Sequence, residues 1–126
     1  MKNLILVALG GGIGAALRYG VGLWLASSLG PGFPWGTFFV NVTGSFVIGV
    51  ALALVAGGQL PSEARLFLAV GLMGGYTTFS SYSYETLVMI SSGSTLAALM
   101  NVFGQLVLGF SAVYVGVVVG RIFGGA

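Results

Sequence analysis

Long apolar runs separated by short breaks dominate the chain, and four of them reach the about 20 residues that a membrane-crossing helix needs. They lie at roughly 4–28, 36–57, 63–91 and 94–122. Ser27, Ser28, Gly30 and Pro31 close the first run, and Gly57 and Gly58 stop the second. Pro61 and Ser62 open the third, with Ser62 suited to cap a helix N-terminus. Ser91, Ser92 and Gly93 divide the third from the fourth. Because the connections are short, consecutive spans run antiparallel, and four spans bring both ends to one side. The run behind Met1, Lys2 and Asn3 is too long for the core of a signal peptide, so it is read as a retained first helix.

The third run breaks the pattern. Residues 66–73 are apolar, but Gly74, Gly75, Tyr76, Thr77, Thr78, Phe79, Ser80, Ser81, Tyr82, Ser83, Tyr84 and Glu85 follow before hydrophobic residues resume. Hydroxyl-rich, interrupted backbone at membrane depth is tolerated only where protein buries it or where it lines a wet path. The pattern therefore predicts an all-α membrane protein of four transmembrane helices, the third broken near 74–78. Glycines at 74 and 75 permit unwinding, and unwound carbonyls are ligands for a small hard cation.

Composition agrees. The 126 residues are 57% hydrophobic and only 5% charged, against about 25% in a soluble domain, and the mean hydropathy is +1.09. One membrane domain fills the chain, with no room for a soluble one. The net charge of +2 is too small to argue for nucleic acid. Cysteine and histidine are absent and both acids are glutamate, so no thiol nucleophile, disulfide framework, Cys/His metal site or histidine relay is available. This points to a chain that moves a solute rather than an enzyme. Lys2, Arg65 and Arg121 fall on the side of the termini, which favours a cytoplasmic location for both ends. Small residues four apart, such as Gly10 and Gly14, Gly71 and Gly75, or Gly116 and Gly120, allow close helix approach. A bundle of four spans is small, so a polar path fits better between subunits, most simply in a homodimer.

Several polar residues stand out, each with two readings. Thr37, Asn41 and Ser45 share one face of the second span at i, i+4, i+8. They are either interhelical hydrogen-bonding groups or a ladder of donors for a solute. Asn101 and Gln105 in the fourth span carry the same two readings. Arg18 either snorkels to the interface or lines a vestibule that concentrates anions. Glu85, a carboxylate within a span, is either functional or a structural acceptor. Phe79 and Tyr82 at i, i+3 are ordinary packing or present positive ring edges to an anion.

Three segments together resemble the signatures of the Fluc (CrcB-type) fluoride channels. They are Gly11-Gly12-Ile13-Gly14-Ala15-Ala16-Leu17-Arg18-Tyr19, Gly36-Thr37-Phe38-Phe39-Val40-Asn41-Val42-Thr43-Gly44-Ser45-Phe46, and Gly71-Leu72-Met73-Gly74-Gly75-Tyr76-Thr77-Thr78-Phe79-Ser80 with Glu85. The resemblance implies a passive fluoride-selective channel of the bacterial inner membrane that protects against fluoride toxicity. It implies a homodimer of oppositely inserted, dual-topology subunits, two fluoride paths along their contact, and a structural Na+ held by backbone carbonyls matching Gly74 and Thr77. The expected fluoride path comprises Asn41, Phe79, Tyr82, Thr37, Ser80, Ser81, Arg18 and Gln105, with Glu85 as a structural polar group. Position 82 departs from the family's usual phenylalanine, and its hydroxyl would donate to the anion, block the path or turn aside. The rival readings are a small four-helix multidrug or cation exporter, which needs an acid in its first helix where this chain has only Arg18, and a non-transporting membrane-structural subunit.

Overall fold

The computed structural model describes residues 1–125, which are helical throughout apart from short connections. Helix α1 spans Lys2–Leu29 and α2 spans Trp35–Ala56. The third crossing is built from two helices in series, α3 over 62–76 and α4 over Phe79–Ser91. The last helix, α5, spans Thr95–Phe123. Three of these, α1, α2 and α5, are each long and apolar enough to cross a membrane alone. With the broken third crossing, the fold is a four-span helical membrane protein.

Helix stops follow local chemistry. After α2, the Gly58 N–H bonds the Val55 carbonyl and the Gln59 N–H bonds Leu54. After α4, Gly93 and Ser94 repeat the arrangement on Ile90 and Met89. Both are Schellman closures, which need a left-handed residue just past the helix, and Gly58 and Gly93 supply it with φ of 78° and 84°.

The interior is made by backbones approaching closely rather than by large side chains. The two most extensive contacts join α2 to α5 and α1 to α3. Along the α1–α3 seam, a Cβ on Gly14 would lie 2.1 Å from the Leu72 carbonyl oxygen, and one on Gly10 would lie 2.5 Å from that of Phe67. Few large side chains are buried, and most leucines, phenylalanines and tyrosines face outward, as expected where lipid rather than water surrounds the protein. Both tryptophans, Trp24 and Trp35, sit at the end opposite Lys2, Glu63, Arg65 and Arg121. That aromatic end matches the belt typical of a membrane interface.

The third crossing differs in detail from its expectation. Arg65–Met73 winds as a wide π-helix, a form usually confined to single turns. Gly74 and Gly75 are not unwound: Gly74–Tyr76 is helical, and neither glycine has positive φ. The break lies at Thr77 (φ −84°, ψ 159°) and Thr78 (φ −153°, ψ 119°), ordinary extended geometry that needs no glycine. Gly75 serves proximity instead, since a Cβ there would lie 2.3 Å from the Gly11 carbonyl oxygen.

Candidate functional site

The break is held open by a set of side-chain bonds that replace the missing helical ones. Thr77 N–H still reaches the Met73 carbonyl at 2.9 Å. The next donor, Thr78 N–H, turns instead to Asn41 Oδ1 on α2 at 2.7 Å, which deprives the Gly74 carbonyl of its i+4 partner. The Thr78 hydroxyl caps α4 by accepting from Ser81 N–H at 3.1 Å, which deprives the Thr77 carbonyl in the same way. Arg18 Nε donates to the Gly75 carbonyl at 3.1 Å. Arg18 is thus half-buried against the break, neither snorkelling free nor standing alone.

Asn41 is the hub. Its Nδ2 donates to the Thr78 carbonyl at 3.0 Å and to Gln105 Oε1 on α5 at 2.7 Å. Gln105 Nε2 passes the pattern to Asn101 Oδ1 at 2.8 Å, and Asn101 Nδ2 donates to Thr86 Oγ1 at 2.9 Å. The Thr86 hydroxyl ends the series on the Tyr82 carbonyl at 2.7 Å. Asn101 is fully buried and Gln105 nearly so, where an unpartnered amide would be costly.

A cleft of ≈ 350 Å³ opens beside this hub, and Asn41, Gly74, Thr77, Phe79, Tyr82 and Gln105 all line it. Phe79 and Tyr82 form its aromatic side, with ring centroids 5.7 Å apart and planes tilted by 37°. Phe79 is 79% exposed, so its ring stands on a face that this single chain leaves uncovered. The Tyr82 hydroxyl turns away and donates to the Val102 carbonyl on α5 at 3.2 Å.

Other expected positions lie elsewhere. Thr37 and Glu85 are joined at 2.9 Å and line a separate cavity of ≈ 410 Å³ beside the 30–34 connection. Ser80 and Ser81 bond the Thr78 hydroxyl at 3.2 and 3.1 Å, so they support the cap of α4 rather than line the cleft. Thr78 and Thr86 are participants that residue type alone did not single out. Thr78 was legible as a threonine at a helix start, three residues before the Ser81 N–H that it caps.

Fold and site define a polytopic helical membrane protein with a polar, amide-lined cleft at a helix break. The sequence model of the family described as "CrcB-like protein, Camphor Resistance (CrcB)" matches residues 5–117. The chain is 54% identical over 116 residues to a "Fluoride-specific ion channel FluC" of Thermus thermophilus, covering 92% of this chain and 91% of that one. It is 47% identical over 126 residues to the protein of the same description in Chloroflexus aurantiacus, covering 99% and 100%. For the Rhizobium meliloti protein so described, the figures are 43% over 123 residues, covering 96% and 98%. The chain belongs to the CrcB-like family.

Proposed function

We propose that this chain is a passive fluoride-selective channel of the bacterial inner membrane, exporting fluoride from the cytoplasm, and that it is not an enzyme. The observation that carries the reading is the cleft at the break, where amides and a pair of aromatic rings meet. It is supported by the name that relatives as near as 54% identity bear. A small anion leaves water only where donors replace its hydration shell, and a cleft lined by carboxamides and hydroxyls, with no charged side chain in its wall, lets it leave again. Fluoride enters cells as neutral hydrofluoric acid and ionises inside. A negative interior then expels it, at about 2.3 kcal/mol per charge for each 100 mV, so no ATP site is required.

The active form in this reading is an antiparallel, dual-topology homodimer in the lipid bilayer. The exposed Phe79 ring and the open side of the cleft support it, because a second subunit would close both. Arg18, Thr37, Ser80 and Ser81 belong to the approaches of the path and to its supports, with Glu85 held by Thr37 as a structural polar group. The carbonyls of Gly74 and Thr77, whose helical donors are diverted to Asn41 and to Thr78, fit a structural Na+. Carbonyls at the C-terminal end of a half-helix, such as that of Gly74, and in the unwound segment after it, such as that of Thr77, are ligands for that ion in membrane transporters. Bound there, it would supply a fixed positive charge that ties two breaks together.

The test is fluoride efflux from liposomes holding the purified protein, followed with an ion-selective electrode. Rapid efflux that exceeds chloride efflux is expected. Efflux equal to that of empty vesicles overturns the reading.

A further inference from the structure

The amide bonds described above run head to tail, and both ends of the series are backbone groups. Thr78 N–H can only donate, so the atom of Asn41 that faces it is Oδ1. The Tyr82 carbonyl can only accept, so the Thr86 hydroxyl donates to it and must accept from Asn101 Nδ2. With both ends pinned, each carboxamide between them has one permitted orientation. Flipping Asn101 alone would set its oxygen against the Thr86 oxygen and its NH2 against that of Gln105. The ambiguity that usually attends an Asn or Gln amide is therefore removed by the chain itself.

This orientation has a consequence for the cleft. Both Nδ2 hydrogens of Asn41 are committed, one to the Thr78 carbonyl and one to Gln105 Oε1. Gln105 gives one of its two Nε2 hydrogens to Asn101 and lines both the cleft and the neighbouring cavity beside Ser45 and Gly109. Its second N–H is the amide donor left for a solute. Were Gln105 reversed, its carbonyl oxygen would take that place and repel an anion. We infer that Asn101, locked by Thr86, is a positioning residue that holds the Gln105 amide from the side opposite Asn41, so that together they keep it presenting N–H rather than C=O to the path, and so helps determine selectivity for a small anion.

The inference rests on the fluoride-channel reading, and its test separates the two. Fluoride and chloride efflux are measured for Asn101→Leu, Gln105→Leu, their double variant, Thr86→Val and Thr86→Ser, each checked for folding by thermal unfolding in detergent. Asn101→Leu should lower fluoride efflux by about tenfold, the scale of one unmet buried hydrogen bond, and narrow the preference over chloride. The double variant should be no slower than Gln105→Leu alone. Thr86 lies outside the cleft, yet Thr86→Val should narrow the preference in the same direction, and Thr86→Ser, which keeps the hydroxyl, should restore it. Wild-type selectivity in a folded Asn101→Leu protein, or independent losses that multiply in the double variant, overturns the inference. If Asn101→Leu does not fold, the Thr86 pair decides: lowered stability with unchanged selectivity in Thr86→Val is a merely structural result and overturns it. If the wild-type protein passes no fluoride, the channel reading falls, and 15N side-chain amide spectra decide the rest. Shifted Gln105 and Asn41 NH2 signals in Thr86→Val sustain the positioning role, whereas unshifted signals overturn it.

Discussion

Helices α2 and α5 meet at two levels in two different ways. Towards the ends of the helices, they meet through glycine. A Cβ on Gly116 would lie 2.2 Å from the Phe46 carbonyl oxygen, and one on Gly49 would lie 2.5 Å from that of Val113. Near the break they meet through amides, with Asn41 Nδ2 2.7 Å from Gln105 Oε1. The glycine level fixes distance and tolerates no added atom, but it presents no group to a solute. The amide level fixes orientation, and there the helices open onto a cleft. Stability and chemistry are thus assigned to separate levels of one helix pair, so a substitution at each level should fail differently.

The largest effect is expected at the glycine level. Gly116→Val forces three carbons into a space that cannot accept one, and overpacking of a rigid backbone contact costs about 3 kcal/mol or more. We expect loss of the monodisperse peak in detergent. Gly12 provides the control, because nothing lies within 4 Å of a Cβ built there. Gly12→Val should purify and unfold like the wild type. Equal behaviour of the two variants would show that seam contact does not govern folding.

The next effect belongs to the amide level. Asn41→Asp keeps an acceptor for Thr78 N–H but loses both donations, to the Thr78 carbonyl and to Gln105. It also places a carboxylate oxygen beside two carbonyl oxygens and in the cleft. Leaving buried acceptors unmet costs about 1–3 kcal/mol, so the protein should remain folded with a lowered unfolding temperature. Fluoride efflux should fall to that of empty vesicles. A folded Asn41→Asp protein with undiminished efflux would remove Asn41 from the path and erase the distinction between the two levels.

The glycine level was legible in the sequence because spacing alone carries it: Gly10 and Gly14, and Gly116 and Gly120, recur every four residues, and each pair lies at a seam. Four spans were legible for the same reason, since length and hydropathy suffice. The break itself was legible to within 74–78, where Thr77 and Thr78 lie, but its cause was not. Glycine is the usual signal of unwound backbone, yet Thr77 and Thr78 adopt extended geometry open to any residue, and of the two glycines before them Gly75 serves packing against Gly11. Asn41, Asn101 and Gln105 were legible as polar residues in apolar spans. Their joining across α2 and α5 into one directed series was not, because it depends on how far one helix slides along the other, which the glycines set. Thr86 was hidden by its place at the start of an apolar run.

The smallest effect is expected at Tyr82, where the aromatic side of the cleft meets α5. Its hydroxyl is the one polar atom on the cleft's ring pair, and it could have served the path. Instead it donates at 3.2 Å to the Val102 carbonyl, a long bond to an acceptor inside a helix. The net worth of such a bond is about 0.5–1 kcal/mol. Tyr82→Phe removes the hydroxyl and leaves the ring, whose centroid lies 5.7 Å from that of Phe79, free to keep its place. We expect a slightly lower unfolding temperature and fluoride efflux within about twofold of wild type, a bond of that size acting on the fold and not on the anion. A tenfold or greater change in efflux or in fluoride preference would mean that the hydroxyl swings to the anion during conduction. The ring pair would then belong with the amides as a donor surface, and the cleft would carry polar chemistry on both of its sides.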